Sequence, residues 1–144
     1  MTKNRINQSS LDKFIQILSR DYSEEFWSEL VYKNAMLLAD SLAESDWNKL
    51  KKIWTIKNIS WQRRFADVLS AVDSPSACTV LIDMLYSDND EVLEEVVDSL
   101  HSILQSNIHK FSLTNSQRDK LSSFLKRCGR LYKPKVELLL SSSN

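Results

Sequence analysis

The chain has 144 residues with 19 basic and 19 acidic side chains, so its formal net charge is zero. That length suits one domain with a real hydrophobic core. A single Gly and two Pro leave too few turn residues for an all-β protein of this size, which favours helices.

The opening stretch, MTKNRINQSS, is polar and lacks the apolar core of a secretory signal. Residues 1–9 are expected to fray, as are 141–144 at the other end. Ser10 is placed to cap a first helix carrying Leu11, Phe14, Ile15 and Leu18 at helical spacing. A second helix begins after Asp21 or Ser23. Glu24 and Glu25 stand in its first turn, and Phe26, Trp27, Leu30, Val31, Ala35, Leu38 and Leu42 form its apolar positions. Ser45 or Asp46 caps a third helix with Trp47, Leu50, Ile53 and Trp54. Asn58 or Ser60 opens a fourth with Trp61, Phe65, Val68, Leu69 and Val72.

Ser74 caps a fifth helix, and Pro75 takes the first helical position, where a missing N–H costs nothing. Asp88 and Glu91 read as a capping box for a sixth helix, whose buried face is Val92, Leu93, Val96, Val97, Leu100, Ile103 and Leu104. Residues 107–115 form a longer connection. Thr114 and Gln117 are a second capping-box pair, before Leu121, Phe124 and Leu125. Gly129 fits a left-handed position after that helix, and Pro134 starts a last short helix with Val136, Leu138, Leu139 and Leu140.

A shift of 31 residues superposes Leu50 on Leu81, Trp54 on Leu85, Trp61 on Val92, Phe65 on Val96, Leu69 on Leu100 and Val72 on Ile103. One register holds across both helices and the intervening turn, which marks an internal repeat. The pattern A-x3-L-x3-L from Ala77, then SDNDEV, then V-x3-L-x2-I ending at Ile103, resembles a HEAT-like repeat. The resemblance is strongest over Ala77–Ile103 and extends to Leu50–Val72; Leu93 stands where such repeats usually carry Arg. It implies an all-α fold: a single domain over 1–144, built as a short right-handed α-solenoid of seven or eight helices in antiparallel pairs. In such solenoids the second helices line a concave binding surface.

The charge is unevenly placed. Residues 49–64 hold six basic and no acidic side chains; residues 65–109 hold nine acidic side chains and no Lys or Arg. Glu91, Glu94, Glu95 and Asp98 fall on one face of the sixth helix, and Asp88 and Asp90 precede them. This is the candidate surface for a basic protein partner. A plain solvated face is the simpler account. A third account pairs Glu94 and Glu95 with Arg63 and Arg64, which the 31-residue shift sets opposite them.

The rival candidate is a nucleic-acid surface of Lys51, Lys52, Arg63 and Arg64 interleaved with Trp47, Trp54 and Trp61. Against it, the repeat register puts Trp54 and Trp61 in core slots. His101 and His109 lack companions at metal-ligand spacing, so neither a metal nor another cofactor is expected. With one Gly there is no phosphate loop, and no serine sits in a nucleophile elbow. Cys78 and Cys128 read as free buried thiols of a reducing compartment, although Arg127 and Arg130 flank Cys128. Nothing spans a membrane.

These features describe a non-catalytic, cytoplasmic protein-binding module, monomeric alone. A small, single-domain, charge-asymmetric chain of this kind resembles bacterial immunity proteins. That resemblance implies a cognate toxin domain of a polymorphic or contact-dependent growth inhibition system, often a basic nuclease. A scaffold subunit of a larger complex is the remaining class.

Overall fold

The computed structural model describes residues 9–106 and 110–142. Among these residues are eight helices and no strand. Helix α1 is Ser10–Ser19. Helix α2 joins Glu24–Phe26, a π-helical turn Trp27–Val31 and Tyr32–Asp40. Helices α3 to α8 follow as Glu44–Ile53, Ile59–Leu69, Pro75–Asp83, Asp90–Ser106, Asn115–Leu125 and Lys133–Ser142. Single 3-10 turns, Trp54–Ile56 and Met84–Tyr86, close α3 and α5.

Short polar side chains start most of these helices by accepting a backbone N–H that no helical carbonyl can reach. Ser23 accepts from Phe26, Asn58 from Trp61 and Ser74 from Ala77. Thr114 and Gln117 form the expected reciprocal box. Four starts differ from the sequence expectation by one to three residues, α8 by opening at Lys133 rather than Pro134. Ser9, not Ser10, caps α1. Ala43 precedes α3 without a side-chain cap, and Asp46 reaches back to its N–H. Asn89, not Asp88, caps α6 by accepting from Val92. Gly129 does not take the left-handed conformation. The last turn of α7 is instead met by the Lys133 ammonium, which donates to the Leu125 carbonyl.

The caps carry the 31-residue period into the backbone. Helices α3 and α5 start at 44 and 75, α4 and α6 at 59 and 90, and Asn58 and Asn89 cap the latter pair identically. All twelve apolar positions superposed by the shift are buried.

Helix α4 packs most extensively on α6; α2 lies against α4, and α8 against α6. On the other side α3 contacts α5, the turn after α5 contacts α7, and α1 contacts both α2 and α4. One core cluster runs through all eight helices. Polar stitches cross it. The Ser99 hydroxyl of α6 donates to the Ala66 carbonyl of α4 at 2.7 Å, and the Trp61 indole donates to the Ile15 carbonyl of α1 at 3.1 Å. The Trp54 indole donates to Asp83 of α5 at 3.0 Å. Burying these groups without partners would be expensive, so each fixes how two helices meet.

Helix α2 departs from the expected apolar face. Trp27, Val31, Ala35 and Ala39 are buried, whereas Phe26 is 47% exposed and Leu30 59%. The π-turn Trp27–Val31 changes the period between the two α segments, so Trp27, rather than Phe26 or Leu30, shares the buried face of Val31, Ala35 and Ala39. Leu138 of α8 also faces outward. Residues 107–109 of the expected connection, including His109, and the outermost parts of both expected frayed ends lie outside the described residues; 110–114 are non-helical, with Leu113 buried. Ser9 is the cap of α1, and 141–142 complete α8.

Candidate functional site

The close packing of α4 on α6 decides the fate of the acidic run. Arg63 of α4 extends to two carboxylates one helical turn apart on α6: Nη1 lies 3.6 Å from Glu91 and Nη2 3.5 Å from Glu95. Arg64 points elsewhere. Its guanidinium donates to the carbonyls of Leu18 in the last turn of α1 and of Arg20 and Tyr22 just beyond it, and stacks over the rings of Tyr22 and Trp27. Of the two arginines opposite Glu94 and Glu95, one therefore meets the acidic face and the other closes a helix end.

Two further cations come from elements that sequence spacing did not bring together with α6. Lys135 of α8 pairs with Asp98, and Arg127, after α7, pairs with both oxygens of Asp90. Asp67 of α4 joins the face from beneath. It accepts the Trp27 indole N–H at 3.1 Å. Six carboxylates (Asp67, Asp90, Glu91, Glu94, Glu95 and Asp98) thus meet three pairing cations. Glu94 has no cationic partner among the described residues, and Asp88 is exposed at the start of the run.

The crowding shows in the acidity of these groups. Burial, then the neighbouring Asp67, pushes the Glu95 carboxyl up to about 7; Arg63 opposes this, and Asp98 adds to it. Burial raises Asp67 as well, against the lowering effect of the Trp27 hydrogen bond. Glu94 is raised by burial and by Glu91, Asp90 and Asp98, with Arg63 opposing. Tyr132, just before α8, is raised by burial and by Asp98, Glu94 and Glu95.

Beside this face an open cleft of about 700 Å³ lies between α2, α4 and α6. Tyr22, Ser23, Glu24, Glu25, Trp27 and Ser28 form one wall; Ser60, Arg63, Arg64, Asp67 and Glu95 form the other. The π-turn of α2 sits on this wall, and π-turns recur at functional sites. The chain matches no known protein-family model, no curated protein and no solved structure.

Lys51 and Lys52 are exposed on α3, outside the cleft that Arg63 and Arg64 line. Trp47, Trp54 and Trp61 are buried, so their faces are closed to base stacking. His101 is half-buried on α6, and no described His, Cys, Asp or Glu residues group to hold a metal. Both cysteines are free and buried, and burial lifts the Cys78 thiol to about 11. No described helix is long and apolar enough to cross a membrane.

Sequence reasoning missed Asp67, Trp27, Glu24 and Glu25 as parts of the site. One signal was present: the 31-residue shift that aligns Arg64 with Glu95 also aligns Asp67 with Asp98. Nothing in the sequence pointed to Trp27, whose role depends on the π-turn.

Proposed function

We propose that this chain is a non-catalytic protein-binding module that receives a basic partner on the acidic surface of α4 and α6. The observation that carries the reading is the charge imbalance: six carboxylates against three cations, with Glu94 left unpaired in their midst. A surface that crowds like charges is stabilised by a partner bringing the opposite charge, and such complementarity mainly speeds encounter and selects partners. The helices would stack as antiparallel pairs in a short right-handed HEAT-like solenoid, with α2, α4, α6 and α8 as its inner row. The run of contacts along those four helices and the 31-residue spacing of the helix starts support that arrangement.

One form of such a module is a cytoplasmic immunity protein, monomeric alone, that neutralises a cognate bacterial toxin domain. A basic nuclease would complement the acidic face, and occlusion of its active site or substrate channel would suffice. The burial of the three tryptophans and the engagement of Arg64 by carbonyls weigh against nucleic acid as the ligand.

The test is affinity capture from the source cell with wild type and with Glu91→Lys plus Glu94→Lys. Among the described residues Glu94 holds no ion pair and Glu91 only an exposed one with Arg63 at 3.6 Å, so the fold should survive their reversal. A basic protein held by wild type and lost by the variant, with strong salt dependence, is the expected result. Capture indifferent to the reversal, or capture of nucleic acid, refutes the reading.

A further inference from the structure

The cleft between α2, α4 and α6 has a chemistry of its own. Four carboxylates line it, from Glu24, Glu25, Asp67 and Glu95, against two guanidinium groups. Neither guanidinium pairs with Asp67, and Glu95 holds only a long contact with Arg63, which Glu91 shares. Arg64 is committed to three carbonyls. Arg63 is strung between Glu91 and Glu95 at 3.6 and 3.5 Å, whereas a close charge-assisted bond is ~2.7–2.9 Å. Its Nε is a buried donor with no acceptor, a need that a cationic occupant does not meet.

We infer that this cleft receives one cationic side chain of the partner, an arginine or a lysine, held between Asp67 and Glu95 beside the Trp27 indole. The inference rests on the protein-binding reading above and names the contact at its centre.

Three features of the walls fit that occupant. Asp67 spends one oxygen on the Trp27 N–H, and a carboxylate has about four lone-pair sites, so acceptor capacity remains. The aromatic wall already seats a cation: the Arg64 guanidinium lies 5.0 Å from the Tyr22 centroid and 5.8 Å from that of Trp27. A second cation finds the same rings close by, with Asp67 free of any cation among the described residues and Glu95 only loosely held by Arg63. The exposed Phe26 ring stacks on Tyr22 at 5.8 Å, extending the wall outward as an apolar shoulder for the aliphatic stem of a long side chain. An anion would face four carboxylates, and a neutral group would leave the pair unrelieved.

Proton linkage gives the contact a signature. The charged and titratable groups around Glu95 are Asp67 and Arg63 from α4, Glu91, Glu94 and Asp98 on α6, Tyr132 and Lys135 at α8, and Glu24 and Glu25 across the cleft from α2. Glu95 holds its proton up to about pH 7 in the free chain. A bound cation favours the ionised form, so binding expels that proton and weakens as pH falls. Between pH 8 and pH 6 the affinity should drop about tenfold.

The experiment titrates the isolated chain with L-arginine amide, L-lysine amide and spermidine, following the four indole N–H resonances, with that of Trp27 assigned by Trp27→Phe. Expected are a shift of Trp27 without one of Trp54, loss of at least tenfold in affinity in Asp67→Asn and in Glu95→Gln, and the tenfold pH effect in wild type only. Both substitutions are neutral and nearly isosteric; should Asp67→Asn unfold, Glu95→Gln decides alone. No Trp27 shift, or equal affinities in wild type and Glu95→Gln, overturns the inference. Spermidine shifting Trp27 where neither L-arginine amide nor L-lysine amide does also overturns it, by making the ligand a free polyamine. A partner captured equally well by wild type and Glu95→Gln, yet lost on reversing Glu91 and Glu94, removes the cleft contact and leaves the acidic-surface reading standing. If no basic partner is captured by any form, that reading fails instead.

Discussion

Replacing Glu95 by glutamine should stabilise the folded chain above neutral pH and change little in acid. The ordinary carboxyl value is 4.5, and burial beside Asp67 holds Glu95 at about 7 in the folded state. The folded state therefore keeps its proton where the unfolded state has lost it. Stability falls as pH rises from about 4.5 to about 7, and the cost is complete above that window. The full displacement corresponds to about 3 kcal/mol. The side chain is 28% exposed and shares Arg63 with Glu91, so part of that cost is screened. Glutamine has no proton to lose and keeps the shape. The expected gain is about 1–3 kcal/mol at pH 8, and under about 1 kcal/mol at pH 5. Urea unfolding at pH 5, 6, 7 and 8, followed by tryptophan fluorescence, measures the difference directly. A gain that does not vary with pH, or a loss at pH 8, would refute the argument that Glu95 is held protonated by its surroundings.

Arg64→Lys should lower stability by about 2 kcal/mol, because a single ammonium cannot serve three carbonyls and two rings together; Arg63→Lys should cost clearly less. Equal urea midpoints for the two variants would refute the division of labour between these neighbours. Trp54→Phe should cost about 1–3 kcal/mol by leaving the half-buried Asp83 without its indole donor, and Asp83→Asn much less, since an amide oxygen still accepts. A thermal melt of both variants checks the order. The Cys78 thiol, held at about 11, should react with a disulfide reagent at pH 8 only as fast as the chain opens. Timed thiol titration with and without urea tests this, and prompt reaction in native buffer would disprove the burial.

Much of the helix plan was legible because periodicity and caps are local signals. Ser23, Asn58, Ser74 and Thr114 could be recognised as caps, since each needs only a short polar side chain and a free N–H three residues on. The errors at Ser9 and Asn89 are one-residue slips between neighbouring residues of the same cap chemistry. The misreading of Phe26 and Leu30 differs in kind. Their exposure follows from the π-turn, a change of period that no single residue announces.

The candidate site was half legible. The carboxylates of α6 share a face by spacing alone, and the 31-residue shift put Arg63 within reach of them. Its neighbour Arg64 looked equivalent in sequence. The end of α1, with carbonyls that no helical N–H can satisfy, draws Arg64 away. Lys135 and Arg127 reach Asp98 and Asp90 only because α8 and the turn before it pack on α6.

By itself, then, the sequence determined an all-helical chain of seven or eight helices, most of their starts, the twelve buried positions related by the 31-residue shift, and a run of acid on one helix. Those features depend on residues close along the chain. The tertiary structure decided which carboxylates stay unpaired, because pairing depends on cations 28 to 37 residues away and on competing backbone acceptors. It also decided that Asp67, Glu95 and Trp27 should share one cleft, since that takes three helices meeting and a π-turn to aim the indole.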